Sequence, residues 1–289
     1  MVFLQTVEKS EPDYPALLAA IPDPPEKLFV AGNLPAEGEH IIAIVGSRRV
    51  TGYGRQACEF LTRELCRAGF GIVSGMAFGI DAVAHEAAIN QGGKTYAVLA
   101  SGADIPSPAS HTALYKKIIE QGGGIISEYA PGTPATQFRF PQRNRIIAGM
   151  TLGTLVIEAK EKSGALITAR LALEYNREVF AVPGSIFSET SKGPNALIAS
   201  GAKLVTEIND ILREFNIEAI GVQQRLFDAA ALTEEERAII GALKDAHHTV
   251  DALVAAVGMP PARVHSVLTM LEIKNMVTHY GAEGYGLTR

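Results

Sequence analysis

The sequence predicts an α/β fold: a doubly wound, mainly parallel sheet followed by a small winged-helix-like domain. Between residues 41 and 205, short apolar runs rich in β-branched residues alternate with amphipathic segments, as in βαβ units. After residue 232, three helical patterns precede a hairpin pattern, which is the order of a winged helix. The predicted strands of the sheet are 41–45, 71–74, 96–100, 124–127, 154–157 and 179–182, and its predicted helices are about 53–68, 80–91, 109–121 and 164–176.

The composition is that of a folded protein of about two domains. Of its 289 residues, 47% are hydrophobic and 20% are charged, which excludes a disordered or fibrous chain. No apolar run approaches the roughly 18 residues that span a bilayer, and no signal-peptide pattern opens the sequence. Cys58 and Cys66 share one predicted helix at roughly 12 Å, too far apart for a disulfide. We therefore expect a soluble, cytoplasmic protein with reduced thiols and no membrane contact.

Four segments follow from these patterns. The first holds a strand pattern, VFLQTV, and a short helix pattern near 14–21, and we expect it to pack on the sheet edge. In the last, Thr233 precedes Glu236 at capping-box spacing, and a hairpin is predicted around residues 281–284. The predicted divisions are an N-terminal lead-in over 1–40, the doubly wound domain over 41–215, a linker over 216–231 and the winged-helix-like domain over 232–289.

The basic residues are concentrated in the middle of an acidic chain. The formal net charge is −5, yet residues 41–205 hold 17 lysines and arginines against 12 acidic residues. One interpretation is that this block meets an anion such as phosphate or nucleic acid. The other is chance variation, with every charge solvated.

Glycine-rich loops follow the first two predicted strands. Gly46, Ser47 and Arg48 precede one helix, and Gly75 and Gly79 frame a loop before the next. Small residues let a ligand approach the backbone, and the following helix offers its N-terminal amides to an anion. Because the carboxyl ends of parallel strands share one edge, these loops are predicted to form one site. Tight turns with solvated arginines are the alternative.

The segment FRFPQRNRIIAG interleaves cations with aromatic rings beside a predicted proline turn. Single-stranded nucleic acid needs this combination, because rings stack on bases while cations neutralise phosphates. In the alternative, both phenylalanines are core residues and Arg143 pairs with an acid such as Glu158. The segment contains Phe138, Arg139, Phe140, Arg143 and Arg145.

Several chemistries are not indicated. Asp81 is predicted to be a helix N-cap rather than a catalytic carboxylate, and His85 a helix-face histidine rather than a base. Ala88 stands where a P-loop requires its first glycine, so no ATPase is expected. The histidines lack the clustered cysteines or carboxylates of a metal site, so no metal is expected.

Five motifs follow one another along the chain: VGSRRVTGYG, SGMAFGIDAVAH, FPQRNRIIAG, VIEAKEKSGALITARLALEYNREVFAVPG and SKGPNALIASGA. In this order they resemble the motifs of the DNA-processing protein A family (DprA, also called Smf), and the resemblance runs from about residue 8 to about residue 215. It implies a Rossmann-like fold that binds single-stranded DNA, forms a homodimer and helps load the RecA recombinase in natural transformation. It implies no catalytic activity and no cofactor.

The resemblance assigns DNA or phosphate contact to residues of these motifs, and the reasoning from residues adds Gly46 and Phe140. We further expect Arg48 and the Arg143–Arg145 pair to share one pocket. Many members carry a helical domain ahead of the lead-in, which is not seen here, and the family's Tyr-Pro appears as Ser107-Pro108. The predicted binding residues are Gly46, Ser47, Arg48, Gly75, Gly79, Phe140, Arg143, Asn144, Arg145, Ser163, Gly164 and Thr168.

Two other functions compete with this one. Gly153, Thr154 and Glu158 faintly resemble the site of lysine-decarboxylase-like enzymes that hydrolyse nucleoside monophosphates, but the Pro-Gly-Gly loop of those enzymes is absent from IAGMTLGT. A protein-binding adaptor is the third alternative. In the winged-helix-like domain, the predicted recognition helix over Pro261–Asn275 carries only Arg263 and Lys274 as cations, so we expect this domain to contact little DNA.

Overall fold

The structure, a computed structural model, describes residues 3–217, 232–243, 248–273, 276–281 and 284–287. The chain divides into two compact units, one ending at Ile220 and the other beginning at Gly221. This division falls inside the segment predicted to be a linker, which lies outside the described residues from position 218 onward.

One mixed sheet forms the centre of the first unit. Its strands are β1 (Leu4–Glu8), β2 (Lys27–Gly32), β3 (Ile41–Val45), β4 (Gly71–Ser74), β5 (Thr95–Val98), β6 (Gly124–Ser127), β7 (Gly153–Val156), β8 (Glu178–Ala181) and β9 (Lys203–Leu204). They lie in the order β1-β2-β6-β5-β4-β3-β7-β8-β9, and neighbours among β3 to β9 pair in parallel. β2 is antiparallel to both β1 and β6. The lead-in therefore supplies the last two strands, β2 and β1, on one side of the sheet.

Helices cover both faces of the sheet. They are α1 (Ala16–Ala19), α2 (Gly52–Arg67), α3 (Ile80–Asn90), α4 (Thr112–Glu120), α5 (Arg139–Gly149), α6 (Gly164–Glu174), α7 (Lys192–Ala199) and α8 (Asn209–Leu212). Ile42 and Ile44 of β3 pack in the core under α2 and α3, while Ala43 and Val45 pack in the core under α5 and α6. All five residues of β3 are buried, as expected of a strand covered on both faces.

The path of the chain through the sheet creates a crevice at its carboxyl edge. From β3 the chain steps outward through β4, β5 and β6, then returns to β7 on the other side of β3. The connections leaving β3 and β7 therefore diverge to opposite faces. In open α/β sheets, ligands bind beside such a reversal, outside the carboxyl ends of the strands.

The predicted fold class is confirmed, and the six predicted parallel strands match to within two residues at each end. The prediction of a turn around Pro141 is wrong, because that residue lies in the first turn of α5. Proline is tolerated there because the first N–H groups of a helix have no intrahelical partner. The predicted helix over 109–121 begins as a 3-10 turn, Ala109–His111, before α4.

The described residues of the second unit form three helices and a two-stranded antiparallel sheet. They are α9 (Glu234–Ala242), α10 (Val250–Val257), α11 (Pro261–Ile273), β10 (Val277–His279) and β11 (Tyr285–Leu287). The predicted capping box is present: Thr233 accepts from the amide of Glu236, whose carboxylate accepts from the amide of Thr233. Leu253, Leu268 and other apolar residues form a separate core in this unit. Within the described ranges, neither unit has a helix with the length and apolar character needed to cross a bilayer.

Gly79 is the glycine on which the carboxyl edge of the sheet depends most directly. Its φ is 79° and its ψ is −128°, and an added Cβ would lie 2.1 Å from the carbonyl oxygen of Ser47. Gly79→Ala should therefore lower the free energy of unfolding by about 2–3 kcal/mol, measured by urea denaturation. Gly52→Ala is the matched control, because an added Cβ there would meet nothing within 4 Å. Equal midpoints for the two variants would contradict the argument.

Candidate functional site

Two glycines bring the loops after β3 and β4 into contact. The amide of Ile80 donates to the carbonyl of Ser47 at 3.1 Å, and Gly79 packs against that same carbonyl. An added Cβ at Gly46 would lie 2.6 Å from the side chain of Ile80. The Ser47 hydroxyl donates to the carbonyl of Arg49 at 2.9 Å, which closes a compact turn. Glycine is therefore required on both sides of this contact, and the turn that carries Arg48 lies against the start of α3.

Arg48 and the start of α5 lie together, as the sequence predicted. The Arg48 guanidinium lies 5.2 Å from the centre of the Phe140 ring, a distance at which a cation is attracted to an aromatic face. Arg48 is exposed, and its charge reaches Arg143, where it contributes to a lowered pKa. About a hundred residues of sequence thus separate groups that meet at one edge of the sheet.

Arg143 is a buried residue, only 4% exposed. Its guanidinium donates to the carbonyl of Gly75 at 2.9 Å and to the carbonyl of Val98, which links α5 to the ends of β4 and β5. Burial lowers the pKa of Arg143 to about 10, against the opposing effect of the Asp81 carboxylate. The alternative interpretation pairs Arg143 with an acid such as Glu158; the acid near Arg143 is Asp81, while the Glu158 carboxylate accepts from Thr51 and Thr190. An added Cβ at Gly75 would lie 2.4 Å from the Arg143 guanidinium, so glycine is needed there for close packing.

The sequence predicts Asp81 to be the N-cap of α3. This prediction is wrong, because Gly79 occupies that position. Its carboxylate instead accepts hydrogen bonds from the amides of Gly75 and Ala77, at 3.2 and 3.3 Å. Burial raises the pKa of Asp81, while the charge of Arg143 and the two amides oppose that shift. Asp81 and Arg143 therefore hold the loop after β4 from its two sides.

His85 is fully buried on α3. One ring nitrogen, Nδ1, lies 2.7 Å from the hydroxyl of Thr95, which itself donates to the carbonyl of Ile72. Burial, with the positive charges of Arg143 and His111 nearby, lowers the pKa of His85 to about 3. The neutral ring is a packing group on the inner face of the helix rather than a base open to a ligand.

The remaining predicted residues make structural contacts around the start of α6. Ser163 is the N-cap of α6 and accepts from the amide of Ala165 at 3.3 Å. The side chains of Asn144 and Thr168 both donate to the carbonyl of Gly164 at 3.3 Å. Asn144 thus fastens α5 to the start of α6, next to Arg143.

Arg145 is paired with acidic side chains. Its guanidinium lies 2.6 Å from Glu128 and 3.3 Å from Asp23. The side chain is 15% exposed, and the Asp23 contact comes from the lead-in. Arg145 therefore fastens the lead-in to α5 and is not a free cation, and the pocket shared by Arg48 with the Arg143–Arg145 pair stays a prediction.

Glu158 joins three loops at the carboxyl edge. The amide and hydroxyl of Thr51 donate to its carboxylate at 3.1 and 2.5 Å, and the hydroxyl of Thr190 donates at 2.9 Å. The carboxylate is buried, and its three donors come from the loops after β3 and β8. The hydrolase alternative would use this carboxylate as a catalytic group, but here it is already engaged by three hydrogen bonds.

Further aromatic side chains are exposed in the loops and helix starts at this edge of the sheet, and the sequence reasoning missed two of them. Phe138 is exposed ahead of α5, and Arg139 lies over the Tyr129 ring at 4.7 Å. Phe78, in the loop after β4, and Tyr53, in the first turn of α2, are about half exposed. An aromatic residue inside a glycine-framed loop, as in GMAFGID, is a signal that could have identified Phe78. Among the described residues, no group of three or more His, Cys, Asp or Glu side chains is placed to hold a metal ion.

The fold and the site define the class: a doubly wound α/β protein with cationic and aromatic loops at the carboxyl edge of its sheet. The family model DNA recombination-mediator protein A matches residues 5–216, and the DprA winged helix domain model matches residues 224–281. Because the first match covers more than half of the chain, the chain belongs to the DNA recombination-mediator protein A family, and its two units are the Rossmann-like and winged-helix domains of that family.

Named relatives agree with this assignment. Protein Smf of Escherichia coli (strain K12) is 46% identical over 199 residues, which are 69% of this chain but only 53% of that protein. DNA processing protein DprA of Bacillus subtilis (strain 168) is 43% identical over 213 residues, 73% of this chain and 71% of that protein. The crystal structure of DNA processing protein A from Streptococcus pneumoniae superposes with a TM-score of 0.69 at 43% identity, covering 73% of this chain and 74% of that one.

Arg143→Ala should destabilise the fold by about 3–5 kcal/mol in urea denaturation. The change leaves the buried Asp81 carboxylate without its nearby cation and two carbonyl oxygens without donors. The exposed Arg48→Ala variant is the control and should stay within about 0.5 kcal/mol of the unchanged protein. Adding Asp81→Asn to Arg143→Ala should be non-additive by about 1–3 kcal/mol. A folded Arg143→Ala variant with an unchanged free energy of unfolding would contradict the structural role assigned to Arg143.

Proposed function

We propose that this protein binds single-stranded DNA as a non-catalytic recombination mediator, through the loops at the carboxyl edge of its sheet. The observation that carries the proposal is the exposed Arg48 guanidinium held over the Phe140 ring, with Phe138, Phe78 and Tyr53 exposed along the same edge. A cation beside several accessible rings suits a strand whose phosphates and bases are both free.

A relative supports the choice of ligand. DNA processing protein A from Helicobacter pylori, described for its unique single-stranded DNA binding mode, superposes with a TM-score of 0.64 at 31% identity, covering 73% of this chain and 95% of that one. Duplex DNA is the poorer fit, because its bases are stacked and paired and because short loops rather than a groove-reading helix present the cations here.

We assign the arginines of the proposed site to two roles. Arg48 is exposed and is our candidate for a phosphate contact. Arg143 and Arg145 are engaged by carbonyl and carboxylate oxygens, so we assign them to positioning the loops. Arg139, partly exposed over Tyr129, is the second cation available to the strand.

Family membership extends the proposal to partners. We propose that the protein acts in the cytoplasm as a homodimer that protects incoming single strands and helps load the RecA recombinase on them in natural transformation. The absence of catalysis is part of this proposal: Glu158 is buried and accepts three hydrogen bonds, which leaves it unsuited to attack a nucleotide. Release of free base from a nucleoside monophosphate, lost in Glu158→Gln, would overturn that part.

Arg48→Ala should weaken binding to oligo-dT about 10- to 150-fold, the value of a charge-assisted hydrogen bond of about 1.5–3 kcal/mol. Fluorescence anisotropy over a salt series measures the affinity. The negative slope of log affinity against log salt should become less steep by about 0.7, because one phosphate contact is lost. Arg67→Ala is the control, because Arg67 lies at the other end of α2, paired with Glu64 at 2.9 Å. Unchanged affinity in Arg48→Ala, or stronger binding to blunt duplex, contradicts the proposal.

The winged-helix domain should contribute little to this affinity. Arg263 on α11 pairs with Glu235 at 2.7 Å, so one of the few cations of that helix is already neutralised. Removal of residues 220–289 should therefore leave the affinity for oligo-dT within a few-fold of that of the full chain. A surface that contacts DNA is expected to carry more basic than acidic side chains. A hundredfold loss in a truncated protein of unchanged oligomeric state would refute the charge argument.

A further inference from the structure

An apolar turn projects from the loop after β8. The amide of Ser188 donates to the carbonyl of Ser185 at 3.0 Å, and the amide of Phe187 donates to the Ser185 hydroxyl at 3.3 Å. Ile186 and Phe187 occupy the two central positions of this turn and are 77% and 91% exposed. Gly, Pro, Asn, Asp and Ser dominate turns, so two large apolar residues there are unusual for a merely structural connection.

The turn is fastened to the site described above. The Ser188 hydroxyl lies 3.1 Å from that of Thr190, which donates to Glu158 at 2.9 Å. On the other side of the loop, the Tyr53 hydroxyl donates to the carbonyl of Pro183 at 2.5 Å. The exposed phenyl ring of Phe187 therefore stands on a backbone that is tied to the start of α2 and to the loop after β7, which reduces the conformational entropy lost when a ligand binds.

The sheet order sets the position of Phe187 relative to the other exposed rings. Phe138 follows β6, Phe78 follows β4, Tyr53 follows β3 and Phe187 follows β8. Because β8 is the second neighbour of β3, the ends of these two strands are about 10 Å apart at the usual strand spacing. The four rings therefore follow strands that end at the same edge of the sheet. Across the sheet, the order is Phe138, Phe78, Tyr53 and Phe187.

We propose that Phe187 stacks on a base of bound single-stranded DNA and extends the DNA path from the Arg48 turn to the end of β8. This inference rests on the proposed function and adds to it the direction of the path across the sheet edge. A single base is the occupant that fits: two apolar side chains present far less than the roughly 800 Å² per partner of a specific protein interface. Base stacking on an aromatic ring also tolerates every sequence.

The charges around the turn indicate stacking rather than a phosphate contact. Glu189 and Lys192 flank it and pair with each other at 2.7 Å, so they supply no excess positive charge. Phe187 should therefore contribute through the bases of the ligand, whereas Arg48 should contribute through the backbone. An oligomer without bases separates the two.

A fluorescence experiment tests contact directly. The chain contains no tryptophan, so Phe187→Trp introduces a single reporter. Titration with oligo-dT should quench this fluorescence, because a stacked base quenches indole emission, whereas an abasic oligomer of the same length should not. Phe3→Trp is the matched control: Phe3 is 85% exposed ahead of β1, at the opposite edge of the sheet, and its reporter should stay unquenched.

Affinity provides the second readout. Phe187→Ala should weaken binding to oligo-dT about 5- to 30-fold and leave binding to the abasic oligomer unchanged, while Phe3→Ala changes neither. Arg48→Ala should weaken both. Because Phe187 is almost fully exposed, unchanged urea midpoints will show that the fold is retained.

The outcomes separate this inference from the proposed function. Failure of the unchanged protein to bind oligo-dT overturns both. Tight binding that is indifferent to Phe187→Ala, with no quenching in Phe187→Trp, overturns the stacking inference alone. A change in sedimentation of Phe187→Ala without a change in affinity for oligo-dT also overturns it, because the ring then contacts protein rather than a base.

Discussion

The carboxyl edge of this sheet depends on one buried cation. The Arg143 guanidinium, removed from water, is stable only because the carbonyl oxygens of Gly75 and Val98 accept its hydrogen bonds and the Asp81 carboxylate lies nearby. These requirements explain the local sequence. Gly75 has no side chain because the guanidinium packs against it, and Asp81 lies in the first turn of α3 so that it accepts from the amides of the same loop.

Glu158 performs the corresponding task on the other side of β3. Its buried carboxylate is satisfied by Thr51 and Thr190, so the loops after β3, β7 and β8 are joined by hydrogen bonds. Together with Arg143 and Asp81, it forms a buried polar network at this edge. The polar network therefore acts as a support, and it leaves the exposed groups on its surface free to bind.

Under the proposed function, loops that are held by hydrogen bonds and carry exposed rings and a few exposed cations suit the binding of a single strand. Preorganised loops lose little conformational entropy on binding, and aromatic faces accept any base. Because few arginines at this edge are exposed among the described residues, we expect base stacking to supply a large share of the proposed affinity for DNA. This is consistent with an overall acidic chain, whose net charge of −5 disfavours a purely electrostatic mode of DNA binding.

The alternation of apolar runs and amphipathic segments predicts β3 to β8, the helices α2, α3, α4 and α6 and the capping box at Thr233, because these depend on residues close together in the chain. It does not predict α5, whose segment is predicted to turn at Pro141. The clustering of Arg48 with α5 was also predictable, from the rule that strand ends share an edge. The burial of Arg143, the pairing of Arg145 with Asp23 across 122 residues and the exposure of Phe187 were decided only by the tertiary structure. Whether a charged side chain meets water, a carbonyl or a carboxylate depends on groups distant in the chain, and no local pattern records them.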